Sequence, residues 1–201
     1  MKETMIERFL LLLTAILAAW QIVVGIDNLA IVPIIAYTIA FGALVVACLL
    51  LIILGWDVPA SPTVLIAASV VPLSLSLGLV WQFLATWRVP YLIFAVGGLL
   101  AIALTRLPPR EGGLPVIVLA VVHGVAGMVI VLLPIVQAAL GLARPGFVLV
   151  SLGGALMGVG GLLLSFLRAG RPCLPRATVL RLLPGLLLLM TTALVLGFAS
   201  T

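Results

Sequence analysis

Long apolar runs separated by short polar breaks make up almost the whole of this chain. A helix needs about 20 consecutive apolar residues to cross the hydrocarbon core of a bilayer, because each residue adds about 1.5 Å to its length. The runs predict seven such helices, at about residues 8–26, 29–56, 63–86, 89–105, 114–140, 147–167 and 178–199. The pattern therefore indicates an all-α integral membrane protein, folded as a compact bundle of about seven transmembrane helices.

The breaks between the runs contain residues that end helices. Segments 57–62 and 108–113 are rich in proline or glycine, and segment 168–176 holds two prolines and a glycine. Proline removes a backbone donor and clashes with the preceding turn, so we expect no continuous helix through these segments. Because every break is short, we expect one polytopic membrane domain over residues 1–201 and no soluble domain.

The composition indicates the same solvent. Hydrophobic residues are 65% of the chain and charged residues 7%. The mean hydropathy of +1.49 is far above that of soluble domains, and no stretch is left over for an aqueous catalytic domain. The net charge of +5 predicts no nucleic-acid partner, because there is no contiguous basic face to neutralise a track of phosphates.

The basic residues are divided unevenly between the two sides of the predicted bundle. With the N-terminus inside, the inner side holds Lys2, Arg8, Arg106, Arg110, Arg168, Arg171, Arg176 and Arg181. The outer side holds only Arg88 and Arg144. Cytoplasmic loops carry an excess of Lys and Arg, so the pattern predicts an N-in, C-out protein of a bacterial-type inner membrane. Trp20 and Trp87 near the outer interface and Trp56 near the inner one agree with this orientation.

A weak internal repeat occurs at an offset of 83 residues. Its matches are Gly78-Leu79 with Gly161-Leu162, Phe83-Leu84 with Phe166-Leu167, and Arg88 with Arg171. The repeat equates predicted helices 2–4 with helices 5–7, and an odd number of helices per copy makes the second copy inverted. Inverted repeats are common in transporters, which bind their solute where the repeats meet. A chance alignment of leucine- and glycine-rich helices is the alternative interpretation.

Glycines and prolines inside the predicted helices indicate how these helices pack. The sixth helix contains Gly153, Gly154, Gly158, Gly160 and Gly161, and a Gly154-xxx-Gly158 face lets a neighbouring helix approach closely. Prolines at positions 72, 134 and 184 predict kinks in the third, fifth and seventh helices.

His123 is the single histidine of the chain and the first candidate for chemistry. It lies about 14 Å into the fifth predicted helix, near the bilayer midplane, where a polar side chain is expensive and often functional. It could relay protons, since imidazole titrates near neutral pH, or ligate one haem or chlorin. The alternative is a neutral histidine that hydrogen-bonds a neighbouring helix.

A second candidate site lies at the junction of the first two predicted helices. Asp27 and Asn28 occupy the junction, and Gln21 precedes Asn28 by seven residues and so shares its helix face. Oxygen atoms of the three side chains could coordinate a cation. The alternative is a turn, because Asp and Asn hydrogen-bond nearby backbone and tolerate unusual φ.

The same junction resembles a family signature. Residues 21–29, Gln-Ile-Val-Val-Gly-Ile-Asp-Asn-Leu, are similar to the E-I-V-L-G-I-D-N-L signature of the TerC family of membrane proteins, which is linked to metal-ion handling. The resemblance covers nine of 201 residues, and Gln21 replaces the family's glutamate. The second acidic motif of the family has no counterpart, because predicted helices 5–7 contain no acid. We therefore carry over neither a metal site nor a function.

The motifs that the chain lacks also narrow the function. There is no Ser-His-Asp set, no HExxH, no Walker loop and no acid pair within a membrane helix, so we expect no enzyme, no metal and no cofactor. The first hypothesis is a small permease-like transporter for a weakly polar or apolar solute, with a site formed by His123, Gln21, Asp27 and Asn28. The alternative is a non-catalytic structural subunit, or a pigment- or lipid-binding one, of a larger membrane complex. The expected partners are the lipid bilayer and other membrane proteins or a second copy of this chain.

Overall fold

The computed structural model describes residues 4–26, 29–56, 62–107, 113–168 and 173–200. Over these residues it contains helices and no strand. The helices are α1 Met5–Val24, α2 Ile31–Leu54, α3 Pro62–Phe83, α4 Arg88–Arg106, α5 Leu114–Ala139, α6 Val148–Arg168 and α7 Arg176–Phe198, with short 3-10 turns at Ala85–Trp87 and Pro145–Phe147. All seven helices are long and apolar enough to cross a membrane, so the prediction of a polytopic helical membrane protein is confirmed.

Local sequence signals explain where α1 begins and ends. Thr4 and Glu7 form a capping box: the Glu7 N–H donates to Thr4 Oγ1 at 3.3 Å, and the Thr4 N–H donates to Glu7 Oε2 at 2.8 Å. This cap starts α1 three residues before the predicted position. Gly25 ends the helix with a φ of +69°, and its N–H donates to the Gln21 carbonyl at 2.9 Å.

Six of the helices form a closed ring. Neighbours in contact follow the order α1, α2, α3, α5, α6, α7 and back to α1, while α4 packs outside the ring against α3 and α5. Helices that follow one another in the chain are antiparallel, so the α1–α7 and α3–α5 pairs are parallel neighbours.

The inverted repeat predicted from the sequence does not match this ring. That repeat equates α3 with α6 and α2 with α5, so the α3–α5 contact would require an equally extensive contact between α2 and α6. The ring places α2 and α6 apart, and over the described residues they share no such contact. The inverted repeat is therefore not confirmed.

Apolar side chains fill the centre of the ring. Leu11, Leu44, Leu75, Ile130 and Leu194, from five different helices, are all at most 4% exposed and belong to one core cluster. These side chains close the centre of the ring at the level of the core cluster.

Smaller core clusters lie beside the central one. Ile102 of α4 packs in a cluster between α3, α4 and α5. Trp56, expected near the inner interface, lies at the basic end, is 4% exposed and packs against Val179 and Leu183 of α7. Its Nε1 has no hydrogen-bond partner among the described residues.

The outer surface of the bundle is suited to lipid. Large apolar side chains such as Val23, Ile53 and Leu104 are 82%, 75% and 66% exposed. Buried hydroxyls such as Thr14 and Thr191 donate to carbonyls of their own helices, at 2.8 and 2.7 Å. Polar groups satisfied within their own helix are what a hydrocarbon environment requires.

The glycines of α6 pack as predicted only in part. A Cβ added at Gly154 would lie 2.5 Å from Ile130 Cγ2 of α5, and one at Gly153 would lie 2.7 Å from Leu194 Cγ of α7. Both glycines therefore permit close helix contacts. Gly158, the other member of the predicted Gly154-xxx-Gly158 face, has no atom within 4 Å of such a Cβ.

The two ends of the bundle differ in chemistry. The basic end holds the described arginines Arg8, Arg106, Arg168, Arg176 and Arg181. The aromatic end holds a core of rings in tilted and edge-on contact, formed by Tyr37, Phe41, Phe83, Phe147 and Phe198. The chain enters the bundle at the basic end with α1 and leaves it at the aromatic end after α7.

Candidate functional site

Tyr37 anchors the aromatic end. It is 3% exposed, and its ring lies 4.6 Å from the Phe198 ring, centroid to centroid. The ring also packs on α3 at Gly78, where an added Cβ would overlap three Tyr37 ring atoms. The glycine thus makes room for the ring, and the packing fixes the position of the Tyr37 hydroxyl.

The Tyr37 hydroxyl joins α2 to α3. It donates a hydrogen bond of 3.0 Å to Oε1 of Gln82, in the last turn of α3. Tyr37 is buried whereas Gln82 is half-buried. In a water-poor interior such a bond satisfies two polar groups that would otherwise be expensive to bury.

A small cavity lies between the end of α1 and the start of α2. Its volume is about 50 Å³ and its polar lining is Gln21, Tyr37 and Thr38, which leaves room for about three water molecules. Gln21 is 6% exposed, and its Nε2 donates to the Gly25 carbonyl at 2.9 Å. Among the described residues of its lining, the cavity offers amide, phenol and alcohol groups and no ionised side chain. We refer to it as the α1–α2 cavity.

A wider recess lies on the other side of α3. Its volume is about 550 Å³, and its lining is Gln82, Phe83, Ala138, Gly141, Leu142, Ala143, Arg144 and Pro145. Those residues come from the end of α3 and from the connection between α5 and α6. We refer to this recess as the α3–α5 vestibule.

The Tyr37–Gln82 hydrogen bond connects the walls of these two spaces. Tyr37 lines the α1–α2 cavity and Gln82 lines the α3–α5 vestibule, and their side chains meet at 3.0 Å. Hydrogen-bonding groups therefore extend from Gln21 through Tyr37 to Gln82 across the aromatic end. This arrangement can bind a small solute that donates and accepts hydrogen bonds.

The structure describes only part of the site predicted at the junction of the first two helices. Gln21 is buried beside the α1–α2 cavity, in keeping with a binding role. The prediction that Gln21 and Asn28 share one helix face is wrong, because α1 ends at Val24 and does not extend to residue 28. Asp27 and Asn28 lie outside the described residues.

His123 lies far from this site. It follows the first residue of α5 by nine positions and is half-buried. Its Nδ1 is 3.2 Å from the carbonyl of Leu119, in its own helix, and not bonded to a neighbouring helix as the alternative interpretation expected. Fourteen residues separate His123 from Gln137 at the aromatic end, a distance of about 21 Å along the helix. The structure therefore does not bring His123 together with Gln21.

Metal-binding groups are sparse in the described segments. No three His, Cys, Asp or Glu side chains come together there. Cys48 is buried and Cys173 is exposed, and both are free thiols.

Several residues of interest were missed by reasoning from the sequence. Tyr37, Gln82 and Gln137 were not singled out as candidate site residues. The structure buries Gln137 to 5% exposure and pairs Gln82 with Tyr37. Glu7, also missed, is 5% exposed. The available signal was the rarity of amide, phenol and carboxyl groups inside apolar runs.

The chain matches no protein-family model, no curated protein and no solved structure. The resemblance to the TerC family stays confined to residues 21–29. A function has to be argued from the site itself.

Proposed function

We propose that the protein is a small permease-like transporter, not an enzyme, and that it carries a neutral, weakly polar solute. The observation that supports this most is the Tyr37–Gln82 hydrogen bond, which joins the wall of a polar cavity to the wall of a wide vestibule. The solute would bind at the aromatic end, between Gln21 and Gln82.

The lining chemistry supports a neutral cargo. The α1–α2 cavity contains one amide, one phenol and one alcohol side chain. The phenol is held by Gln82, which leaves the amide and the alcohol to exchange hydrogen bonds with a hydroxyl or amide solute. An ion entering the same space would lose its hydration without meeting an opposite charge among the described lining residues, which costs roughly several kcal/mol.

Gln82 is the movable part of the proposed gate. Tyr37 is held on both sides by Gly78 and Phe198, whereas Gln82 is only half-buried and borders the vestibule. Rotation of Gln82 away from Tyr37 would connect the two spaces. The conformation seen here is closed to transport, since apolar side chains fill the centre of the ring of helices.

Prolines inside α3 and α7 support a change of shape during transport. Pro72 and Pro184 lie within these helices and lack the N–H that would bond the carbonyls of Ala68 and Leu180. Helices bend most readily at such positions, so α3 and α7 are the elements that would open a path past the core.

We further propose that the basic end faces the cytoplasm of a bacterial-type cell and that the membrane is its inner membrane. Five described arginines lie at the basic end, Arg8, Arg106, Arg168, Arg176 and Arg181, against Arg88 and Arg144 at the aromatic end. Positive charge favours the cytoplasmic side. The solute site would then face outward.

The test is a flux measurement on purified protein in liposomes, with glycerol as the neutral probe. After a step to high external glycerol, vesicles shrink and then swell again as glycerol enters, and light scattering records the rate. Wild-type protein is expected to accelerate the swelling over protein-free vesicles. Gln21→Leu is expected to reduce the added rate about fivefold. This factor corresponds to the loss of one hydrogen bond to the solute, worth about 1 kcal/mol.

The matched control is Ser165→Ala. Ser165 is exposed on α6 and its hydroxyl bonds only the Gly161 carbonyl, at 2.8 Å, so its loss is expected to leave the flux unchanged. Wild-type vesicles that swell no faster than protein-free ones would refute the transport proposal.

A second candidate function, a subunit of a larger membrane complex, is favoured by one observation. Gly124, Gly158 and Gly161 are exposed on α5 and α6, with no atom within 4 Å of an added Cβ. Exposed small residues on membrane helices are typical of surfaces that pack on another helix. Native mass spectrometry of gently extracted protein separates the two functions: a stoichiometric complex with other proteins supports the subunit, and a lone protomer opposes it.

A further inference from the structure

The ring of helices has a two-fold pattern of neighbours that differs from the inverted repeat. Equating α1, α2 and α3 with α5, α6 and α7 maps the α1–α2 contact onto α5–α6 and the α2–α3 contact onto α6–α7. It also maps α3–α5 onto α7–α1, the pair that closes the ring. Only α4 has no counterpart. Both sets of three helices begin at the basic end, so the two units have the same orientation.

The sequences of the two units carry matching residues at one offset. Pro33, Gly42-Ala43-Leu44 and Pro72 recur 112 residues later as Pro145, Gly154-Ala155-Leu156 and Pro184. In both units the second proline lies inside the third helix, at corresponding positions of α3 and α7. Sequence and helix neighbours therefore give the same correspondence.

The first helices of the two units end in the same way. Gln21 is followed by Gly25, and Gln137 is followed by Gly141, an offset of 116. Both glutamines are buried, at 6% and 5% exposure, and both glycines have a positive φ, of 69° and 70°. The four-residue change of offset falls in the connection to the next helix, where chains tolerate insertions best.

The same correspondence relates the two cavities of the aromatic end. Ile22, Gly25 and Ile26 line the α1–α2 cavity, and the equivalent residues Ala138, Gly141 and Leu142 line the α3–α5 vestibule. The Gln137 carbonyl accepts hydrogen bonds of 2.9 and 3.2 Å from the N–H groups of Leu142 and Ala143, which form the vestibule wall.

We infer that the protein is a direct repeat of two three-helix units, α1–α3 and α5–α7, joined by α4, and that the α3–α5 vestibule is the second copy of the solute site. The repeats are related by an axis along the membrane normal, as in other transporters with parallel repeats. Gln137 corresponds to Gln21 in the second unit, and it directly precedes Ala138, which lines the vestibule. The ligand part of this inference rests on the proposed function, and its ligand is again a solute that donates and accepts hydrogen bonds; Arg144 adds a positive charge to this second lining.

The test compares equivalent substitutions in the glycerol flux assay. Gln137→Leu is expected to lower the added flux about as much as Gln21→Leu, about fivefold, with Ser165→Ala unchanged. If wild-type flux is present, and Gln21→Leu lowers it but Gln137→Leu does not, the second site is refuted and the transport proposal survives. If the wild type carries no glycerol, both proposals fail together.

A labelling measurement checks the vestibule without relying on flux. In a Cys173→Ser background, Ala138→Cys is treated in detergent with a water-soluble maleimide, and the buried native Cys48 serves as the unreactive internal control. We expect the thiol at position 138 to react, because it faces a recess of about 550 Å³. A thiol at position 138 as unreactive as Cys48 would overturn the inference, whatever the flux of the folded Gln137→Leu variant.

Discussion

Replacing Gly78 by alanine is expected to destabilise the bundle at the point that carries the proposed gate. An ideal Cβ at this position would lie 2.7 Å from Cζ and 2.8 Å from Cδ1 of Tyr37, and the ring has little space to withdraw because Phe198 packs on it. Overpacking of this kind costs about 1–3 kcal/mol, and breaking the hydrogen bond to Gln82 adds about 1 kcal/mol.

Part of that loss is offset. Alanine is better than glycine inside a helix by roughly 0.5–1 kcal/mol, so the net loss of unfolding free energy at Gly78→Ala is about 2 kcal/mol. For a chain of this size a loss of about 2 kcal/mol lowers the melting temperature by about 4–8 °C. The assay is reversible unfolding in mixed detergent micelles, followed by circular dichroism.

Two comparisons make the Gly78 experiment decisive. Gly158→Ala is the matched control, because open space surrounds that glycine, and it is expected to be neutral or slightly stabilising. Tyr37→Phe removes the hydroxyl and is expected to lower the unfolding free energy by about 1 kcal/mol in the wild type but by almost nothing in the Gly78→Ala variant. Equal stabilities of Gly78→Ala and Gly158→Ala would refute the packing argument.

Four further predictions follow from particular contacts. Gly197→Ala is expected to lower the unfolding free energy by more than Gly185→Ala, measured by the same detergent titration, because its Cβ would lie 2.7 Å from a backbone nitrogen of α6 while Gly185 is unobstructed. Thr4→Ala is expected to cost about 1 kcal/mol through the lost capping box, seen as faster amide exchange in the first turn of α1. Exposed Cys173 is expected to react with an impermeant maleimide in inverted membrane vesicles and not in intact cells; the reverse result would refute the proposed orientation. His123→Leu is expected to leave the glycerol flux unchanged, because His123 bonds only its own helix in the structure, and a loss of flux would return it to the transport path.

Hydrophobic patterning was sufficient to predict the number and extent of the helices. Spans of apolar residues and proline-rich breaks are local features, and the structure moved most helix ends by only a few residues. The start of α1 was missed although its signal, Thr4-Met5-Ile6-Glu7, is a sequence-level capping box. The start of α1 could therefore also have been predicted from the local sequence.

The arrangement of the helices could not be predicted in the same way. In a bilayer every helix is apolar all round, so hydrophobicity does not say which face meets which neighbour. Gly78 and Gly158 are alike in sequence, yet one receives the Tyr37 ring and the other faces open space. The offset of 83 residues was noticed in the sequence and the offset of 112 was not, because the helix neighbours are what distinguish a meaningful match from a chance one.

The candidate site shows the same limit. Gln21 was singled out because it precedes Asn28 by seven residues in one predicted helix; that helix ends at Val24, yet the structure places Gln21 beside a cavity. Its partners were missed because Tyr37 and Gln82 are 45 residues apart in the chain, and no local pattern brings them together. His123 was weighted most because it is the single histidine, but rarity does not reveal that its Nδ1 bonds its own helix.

The measurement that tests the central claim most directly is glycerol flux through Tyr37→Phe set against flux through Gln21→Leu. Tyr37→Phe keeps the ring packed on Gly78 and frees Gln82, so the proposed gate opens more often and the flux rises, by up to about fivefold for a bond of about 1 kcal/mol. Gln21→Leu removes a solute-binding amide and lowers the flux. Opposite changes are the result that the account predicts, and changes of the same sign, or no change in either variant, would contradict it.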